Sequence, residues 1–359
     1  MSKVEQRRKA GSASSQDAIP VDINIPDNYT AIFAVFWYFV TGLGITAGYH
    51  RLWAHRSYNA SVPLQYMLAF AGAGAVQGSI KWWSRGHRAH HRYTDTDLDP
   101  YGAHHGLLWS HIGWMVFKPR RKPGVADVSD LINSPVVRWQ HKYYVWLLLF
   151  MAFVMPTVVP GLLWGDWRGG YFYAGAARLV FVHHSTFCVN SLAHWLGETP
   201  FDDKHTPRDH MITAFVTIGE GYHNFHHQFP MDYRNAIKWY QYDPTKWFIT
   251  VMSWFGLASH LKSFPDNEVR KGQLTMELKK LKAKADEMKW PTTSNDLPSK
   301  NSPRPAHSSL SPVSFTTFLR LWMNTPVAVT SFARTLARTR LLHSLEVSTT
   351  IPTPLATTP

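Results

Sequence analysis

Three stretches of this chain concentrate histidine at spacings that suit metal ligation. His87-Arg-Ala-His90-His91 puts imidazoles at i, i+3 and i+4, on one face of a helix. His223-Asn-Phe-His226-His227 repeats that spacing, and His50-Arg-Leu-Trp-Ala-His55 precedes both. A ninth histidine, His194, follows an apolar segment four residues after Asn190. The chain has 20 histidines, so one trio alone is weak evidence; two identical trios with a flanking pair point to a metal centre. Imidazole suits zinc, copper, iron or nickel, and ligand type does not choose among them. A catalytic zinc takes about three protein ligands and a structural zinc about four. Nine histidines exceed either, which makes a two-metal centre the economical account.

The elements that must position these groups look membrane-bound. The 359 residues are 45% hydrophobic and 14% aromatic, with 16 tryptophans, enough for one substantial domain and a tail. A net charge of +13 suits an anionic membrane surface, a phosphorylated substrate or an acidic protein partner. Nucleic acid is not expected as a partner, because the basic residues alternate with membrane-like segments. Cys188 is the sole cysteine, which excludes an intramolecular disulfide and a thiolate-rich metal site. Residues 1–30 are polar and lack the apolar core of a cleavable signal peptide.

The chain divides into a polar arm (1–30, expected disordered), a membrane domain (31–290) and a Ser/Thr/Pro-rich tail (291–359, expected disordered). Uncharged or nearly uncharged runs near 31–48, 143–165 and 171–193 read as spans, each close to the roughly 20 residues a crossing needs. The third is interrupted by Arg178, His183 and His184. The run 62–80, which contains Gly72, Gly74 and Gly78, lies between His55 and His87. If all the histidines meet on one side, it must be interfacial or re-entrant. Residues 81–142 hold ten Lys/Arg against five Asp/Glu, which places the histidines on the cytosolic side. The expected fold is all-α: multi-pass membrane helices under a cytosolic helical cap holding a histidine-rich di-metal site.

The motifs HRLWAH, HRAHHRYTDTDLDP, NSLAHWLG and EGYHNFHHQFP resemble those of the membrane acyl-CoA delta-9 (stearoyl-CoA) desaturases. The fungal type is approached through KWWSRGHRAHHRYTD, FDDKHTPRD and FPMDYRNAIKWYQYDPTKW, and the resemblance covers roughly residues 31–290. It implies an oxidoreductase of the endoplasmic reticulum membrane, embedded in lipid, for unsaturated fatty acid biosynthesis. Such an enzyme uses dioxygen to insert a cis double bond into stearoyl-CoA or palmitoyl-CoA. Two iron ions (Fe2+) would be its cofactors, with electrons from NADH through a reductase and cytochrome b5.

Carried over by motif, the resemblance implies His50, His55, His87, His90, His91, His194, His223, His226 and His227 as metal ligands, and Asn190 as a ligand through water. Gln77, Trp83 and Thr186 match groups that bend the acyl chain beside the metals, and Phe187 stands where the family usually has Trp. Tyr38 and Gly42 match the closed end of the acyl tunnel, where the small Gly42 would leave room for an 18-carbon chain. Arg85 matches a CoA contact, and Lys118, Arg120 and Arg121 are candidate phosphate partners. His104, His105 and His111 read as loop or supporting residues. His183 and His184 read either as part of a polar network around Asn190 or as packing groups. Asp95, Asp97 and Asp99 read as acceptors that orient ligand histidines, or as turn caps.

Two departures accompany the resemblance. Family members have four spanning helices, and the first has no counterpart in this reading. Residues 291–359 lack a haem-binding His-Pro-Gly-Gly, so no haem is expected in this chain and electrons would come from a separate protein. Alternative readings are a related di-iron acyl hydroxylase and a shortened, inactive metal-binding membrane regulator.

Overall fold

A computed structural model describes residues 26–118 and 121–288. Most of the proposed arm, the whole 291–359 tail and Arg120 lie outside the described residues.

Helix α1 (Asn28–Ala54) opens at Asp27, whose carboxylate accepts from the Tyr29 N–H at 3.0 Å. Its 27 residues, at roughly 1.5 Å each, exceed the thickness of a hydrocarbon core. From Gly44 to Ala54 the helix widens into π form, and the His55 N–H bonds the His50 carbonyl at 3.0 Å. Helix α2 (Val62–Ala73) is 12 residues, about 18 Å, and too short to cross. Where it packs on α1, a Cβ on Gly44 would lie 2.2 Å from the Gly72 nitrogen, so only glycine lets the two backbones touch. Helix α3 (Ile80–Tyr93) follows, capped by Ser79.

Helix α4 (Pro135–Trp164) begins with Pro135 in its first turn, where a missing N–H is harmless, and ends at Gly165 with φ +81°. A two-residue connection then leads into α5 (167–190). Among the described residues, α1 and α4 are long and apolar enough to cross a membrane. Helix α5, proposed as a third span, carries Arg168, Arg178, His183 and His184. Ile32, Val35 and Phe36 on α1 and Val145, Trp146 and Leu149 on α4 are exposed, as lipid-facing side chains should be.

The π-helical turns within α4 (Phe150–Val154) and α5 (Gly170–Ala177) redirect backbone carbonyls. Arg178 collects several of them. Its guanidinium donates to the carbonyls of Gly74 at 2.8 Å, Ala152 at 3.1 Å and Ala174 at 3.1 Å, and lies 3.4 Å from the Thr41 hydroxyl. One buried side chain thereby links α1, the end of α2, α4 and α5.

Beyond α5 lie α6 (Met211–Val216), α7 (His223–Gln228), α8 (Pro244–Trp254) and α9 (Asp266–Glu287), with short helical segments at 103–105, 109–116, 129–133 and 192–194. A two-residue strand β1 (Asn59–Ala60) pairs antiparallel with β2 (Ala258–Ser259), in the register Asn59↔Ser259 and Ala60↔Ala258. The main core gathers Ile45, Tyr49, Trp53, Leu68 and Ile249 from α1, α2 and α8. Among the described residues the fold is helical, as expected, apart from this pairing and two isolated bridges, Glu198–Asp209 and Asp209–Tyr222.

Arg88, between the ligand candidates His87 and His90, fixes α3 against the end of α1. It donates to the carbonyls of Trp53 and Ala54 at 2.7 and 3.0 Å and grips Asp130 through both carboxylate oxygens at 2.7 and 2.8 Å. Arg56 adds a bond to the same carboxylate at 2.8 Å. Partial burial alone would raise the Asp130 pKa, but the two guanidiniums more than reverse that and hold it at about 2. Because the folded value lies below the ordinary 3.8, the stabilisation is complete above about pH 4 and disappears as pH falls through 2. Asp130→Asn is therefore expected to lower the melting temperature by several degrees at pH 7 and pH 5. The gap to wild type should close between pH 4 and pH 2; a gap independent of pH would contradict this assignment.

Candidate metal centre

The nine histidines proposed from sequence converge, and they do so as two disjoint sets. The donor atoms of His50, His55, His87, His91 and His226 lie within 4.8 Å of one another, and so do those of His90, His194, His223 and His227. Each H-x-x-H-H trio is split between the sets rather than converging on one point. On a helix, residues i and i+4 stand about 40° apart, whereas i+3 and i+4 are about 100° apart. Thus His87 and His91 enter the first set while His90 enters the second; on α7, His223 and His227 enter the second and His226 the first. His50 and His55, five apart, would diverge on an α-helix. The π-helical end of α1 brings them onto one face, with ring centroids 4.8 Å apart.

Within each set the Nε2 atoms face one another. In the first set the separations are 2.8 Å (His55–His87), 3.0 Å (His50–His226 and His91–His226) and 3.1 Å (His87–His91). In the second they are 3.1 Å (His223–His227) and 3.2 Å (His90–His227 and His194–His223). Nitrogens held about 2.1 Å from a shared ion would lie roughly 3.0–3.4 Å apart. Such spacing without a cation would press lone pairs together.

The Nδ1 atoms show why Nε2 must carry the lone pair. His50 Nδ1 meets Glu220 at 3.0 Å, His90 Nδ1 meets Asp99 at 2.9 Å and His194 Nδ1 meets the Thr206 hydroxyl at 2.8 Å. Thr206 in turn donates to Asp95 at 2.6 Å. An acceptor at Nδ1 places the proton there and leaves Nε2 free to bind metal. Burial, followed by mutual repulsion, lowers the pKa of His55, His87, His91, His223, His226 and His227 far below the usual imidazole value, and takes His194 to about 3. Neutral imidazoles are what metal ligation requires. The residues fit a metal ion, and each histidine set offers the donor atoms to hold one.

The two carboxylates differ in support. Burial alone would raise Glu220, but Arg51 and His50 hold it at about 2. Arg51, fully buried, bonds Glu220 at 2.9 Å and Asp243 at 2.9 and 3.1 Å, tying α1 to the turn before α7 and the cap of α8. Asp99 is lowered by His90 despite its burial. Asp209 caps α7 by accepting the N–H groups of Asn224 and Phe225 at 2.8 and 3.1 Å, and burial pushes it up to about 7.

A cavity of about 610 Å³ adjoins the histidines; His50, His87, His90, His223 and Asn190 line it. Its wall contains a hydrogen-bonded chain. The Trp83 indole N–H donates to the Gln77 carbonyl at 3.1 Å, and the Gln77 amide donates to the Thr186 hydroxyl at 2.7 Å. The Trp83 ring stacks on His87, with centroids 4.9 Å apart. Phe187 is buried on the same wall against His183 and His111. Gly42 lines the cavity, and Tyr38 stands behind it with its hydroxyl 2.7 Å from Ser185, a lining residue. The room expected at Gly42 is filled: a Cβ there would lie 2.3 Å from Ile218 Cδ1.

Other sequence candidates lie elsewhere. Arg85 and Lys118 are exposed and outside the lining, while Lys142 and His141 are exposed lining residues that no motif singled out. Arg121 lies 3.5 Å from Asp97, and Asp97 approaches His104 and His105 instead of a ligand histidine. His183 bonds the Ala75 carbonyl at 2.9 Å. His184 bonds His111 at 3.0 Å, and His111 bonds Ser191 at 2.9 Å, one residue from Asn190. Sequence reasoning gave no role to Arg51 or Glu220. Their signal was a charged residue beside His50 and an acid three residues before His223.

The two orienting carboxylates serve different sets, so their loss should be separable. Glu220→Gln and Asp99→Asn are each expected to weaken metal retention by about 10–100-fold. Metal content after dialysis against graded chelator should fall early by one ion per chain in each variant. Asp97→Asn should titrate like wild type. Equal loss in all three variants would show that the carboxylates do not orient ligands.

Residues 29–251 match the fatty acid desaturase family. The chain is 57% identical over 271 residues to a probable acyl-CoA desaturase of Schizosaccharomyces pombe, covering 75% of this chain and 56% of that protein. It is 50% identical over 281 residues to acyl-CoA desaturase 1 of Saccharomyces cerevisiae, covering 78% and 54%. Human stearoyl-CoA desaturase 5 is 44% identical over 252 residues, covering 68% and 76%. The chain spans about half the length of the two fungal relatives. With its apolar helices and histidine sets, this chain is a membrane protein that belongs to the fatty acid desaturase family.

Proposed function

We propose that this chain is an acyl-CoA delta-9 desaturase, acting on stearoyl-CoA and palmitoyl-CoA at a two-iron centre. The observation that carries this reading is the cavity running from the histidine sets along the Trp83–Gln77–Thr186 chain to Gly42. An acyl chain fits such a space, with its thioester end towards the exposed Lys142 and His141. The five-histidine and four-histidine sets would each hold one iron, with Asn190 reaching the second through water. The target methylenes offer neither an acidic proton nor a leaving group, and the irons would supply the dioxygen-dependent oxidising power to take hydrogen from them.

The chain's own residues account for position and exclusion. Gln77, fixed at both ends of its amide by Trp83 and Thr186, cannot rotate to meet a different chain shape. The acyl chain is bent there, which favours a cis product. The apolar lining (Ile45, Val76, Val182, Phe187) excludes water from the reacting carbons. Glu220, Asp99 and the Thr206–Asp95 pair hold protons at Nδ1 of His50, His90 and His194, keeping each Nε2 available. Electrons would come from NADH through a reductase and cytochrome b5. The excess of Lys/Arg over Asp/Glu in residues 81–142 supports a site that faces the cytosol from the endoplasmic reticulum membrane.

Microsomes containing the chain, given stearoyl-CoA, NADH, cytochrome b5 and the reductase, should form oleate detectable by gas chromatography. His227→Ala should abolish it. Hydroxystearate as the main product would favour a hydroxylase. Membrane-inserted protein without product would instead favour the regulator reading. In the active enzyme, Gly42→Thr is expected to shift the product ratio at least about tenfold from 18 towards 16 carbons.

A further inference from the structure

We propose that Ile218 is the residue that sets how long an acyl chain the cavity accepts. This rests on the acyl-CoA reading above and assigns the length limit to a position that no histidine motif includes.

Ile218 is 4% exposed and lines the cavity beside Thr217 and Gly42. Its Cδ1 occupies the space that a side chain at residue 42 would take. The small residue on α1 and the large one before α7 are therefore complementary halves of one wall. Gly42 lies eight residues before His50 on the same helix, roughly 12 Å along the axis. The wall thus stands at a set distance from the metal ligands and limits how many methylenes fit beyond the reacting carbons.

The backbone supports the assignment independently. Ile218 has φ +55°, a left-handed conformation that is a genuine outlier for a β-branched residue. Glycine would adopt it without strain. The strain persists because both flanks are pinned. Upstream, the Thr217 N–H bonds the Thr213 carbonyl at 2.9 Å. Downstream, the Gly219 N–H bonds the Ala214 carbonyl at 2.7 Å, and a Cβ on Gly219 would strike the Asp243 backbone at 2.8 Å. Glu220 then enters the Arg51 and His50 network. A strained residue held in this way marks a functional constraint. Here its effect is to aim an apolar side chain into the cavity at a fixed depth, registered to the metal ligands through Glu220.

The test compares wild type with Ile218→Ala, Ile218→Gly and Ile218→Phe as full chains in detergent or microsomes. Two readouts are taken for saturated acyl-CoAs of 14 to 20 carbons: the shift in melting temperature each one causes, and the competitive product ratio. Ile218→Ala and Ile218→Gly should raise the preference for 20 over 16 carbons at least about tenfold and move the best-stabilising ligand to a longer chain. Ile218→Phe should move both readouts the other way. Ile218→Gly should melt higher than Ile218→Ala, because glycine relieves the left-handed strain. Unchanged length dependence in the alanine and glycine variants overturns the proposal, whatever the fate of the phenylalanine variant. Wild type that forms no product while the best-stabilising chain length still moves would sink the desaturase reading and leave the role of Ile218 standing. Product formed with an unmoved length profile would do the reverse.

Discussion

Imidazoles that keep their proton on Nδ1 present bare lone pairs at Nε2, and nine Nε2 atoms crowd into two sets with neighbours about 3 Å apart. Without a cation that arrangement is repulsive, and burial forbids the rings from relieving it by protonation. The surrounding protein must therefore force the rings together. Arg88 clamps α3 to the end of α1, Arg51 ties α1 to Glu220 and Asp243, and Asp209 fixes the start of α7. Each ties down a backbone segment that carries histidines of the two sets.

The same problem of unsatisfied polar groups recurs in the apolar helices. Departures from α geometry are costly in lipid, because each redirected carbonyl needs a new partner. Arg178 supplies donors to three such carbonyls from different elements. At the end of α1 the π-helical stretch has a different use. It turns a five-residue spacing into one face, allowing His50 and His55 to join the same set.

The cavity depends on both arrangements. Its lining includes His87, on which Trp83 stacks, and the wall where Gly42 and Ile218 meet. A rigid relation between the two follows from their attachment to α1. The polar chain through Gln77 shares the lining with the apolar Ile45, Val76 and Val182, and its donors and acceptors satisfy one another.

The sequence by itself determined the all-helical membrane architecture, the family and the residue types of the centre, because hydrophobic run length and histidine spacing are local properties. Of Asp95, Asp97 and Asp99, read from sequence as histidine-orienting acceptors or turn caps, Asp99 meets His90, Asp95 reaches His194 only through Thr206, and Asp97 meets neither set. The sequence did not determine how nine histidines divide into five and four. That division depends on which side of each helix faces the other helices, and on a π-helical turn that no residue-level pattern announces. Nor did it show that Glu220 and Arg51 support His50, since Arg51 and Glu220 lie 169 residues apart and meet only through packing. Gly42 is the clearest case. A missing side chain reads as space in the sequence, but whether the space stays open was decided by Ile218, on a distant segment held in a conformation that only the folded chain imposes.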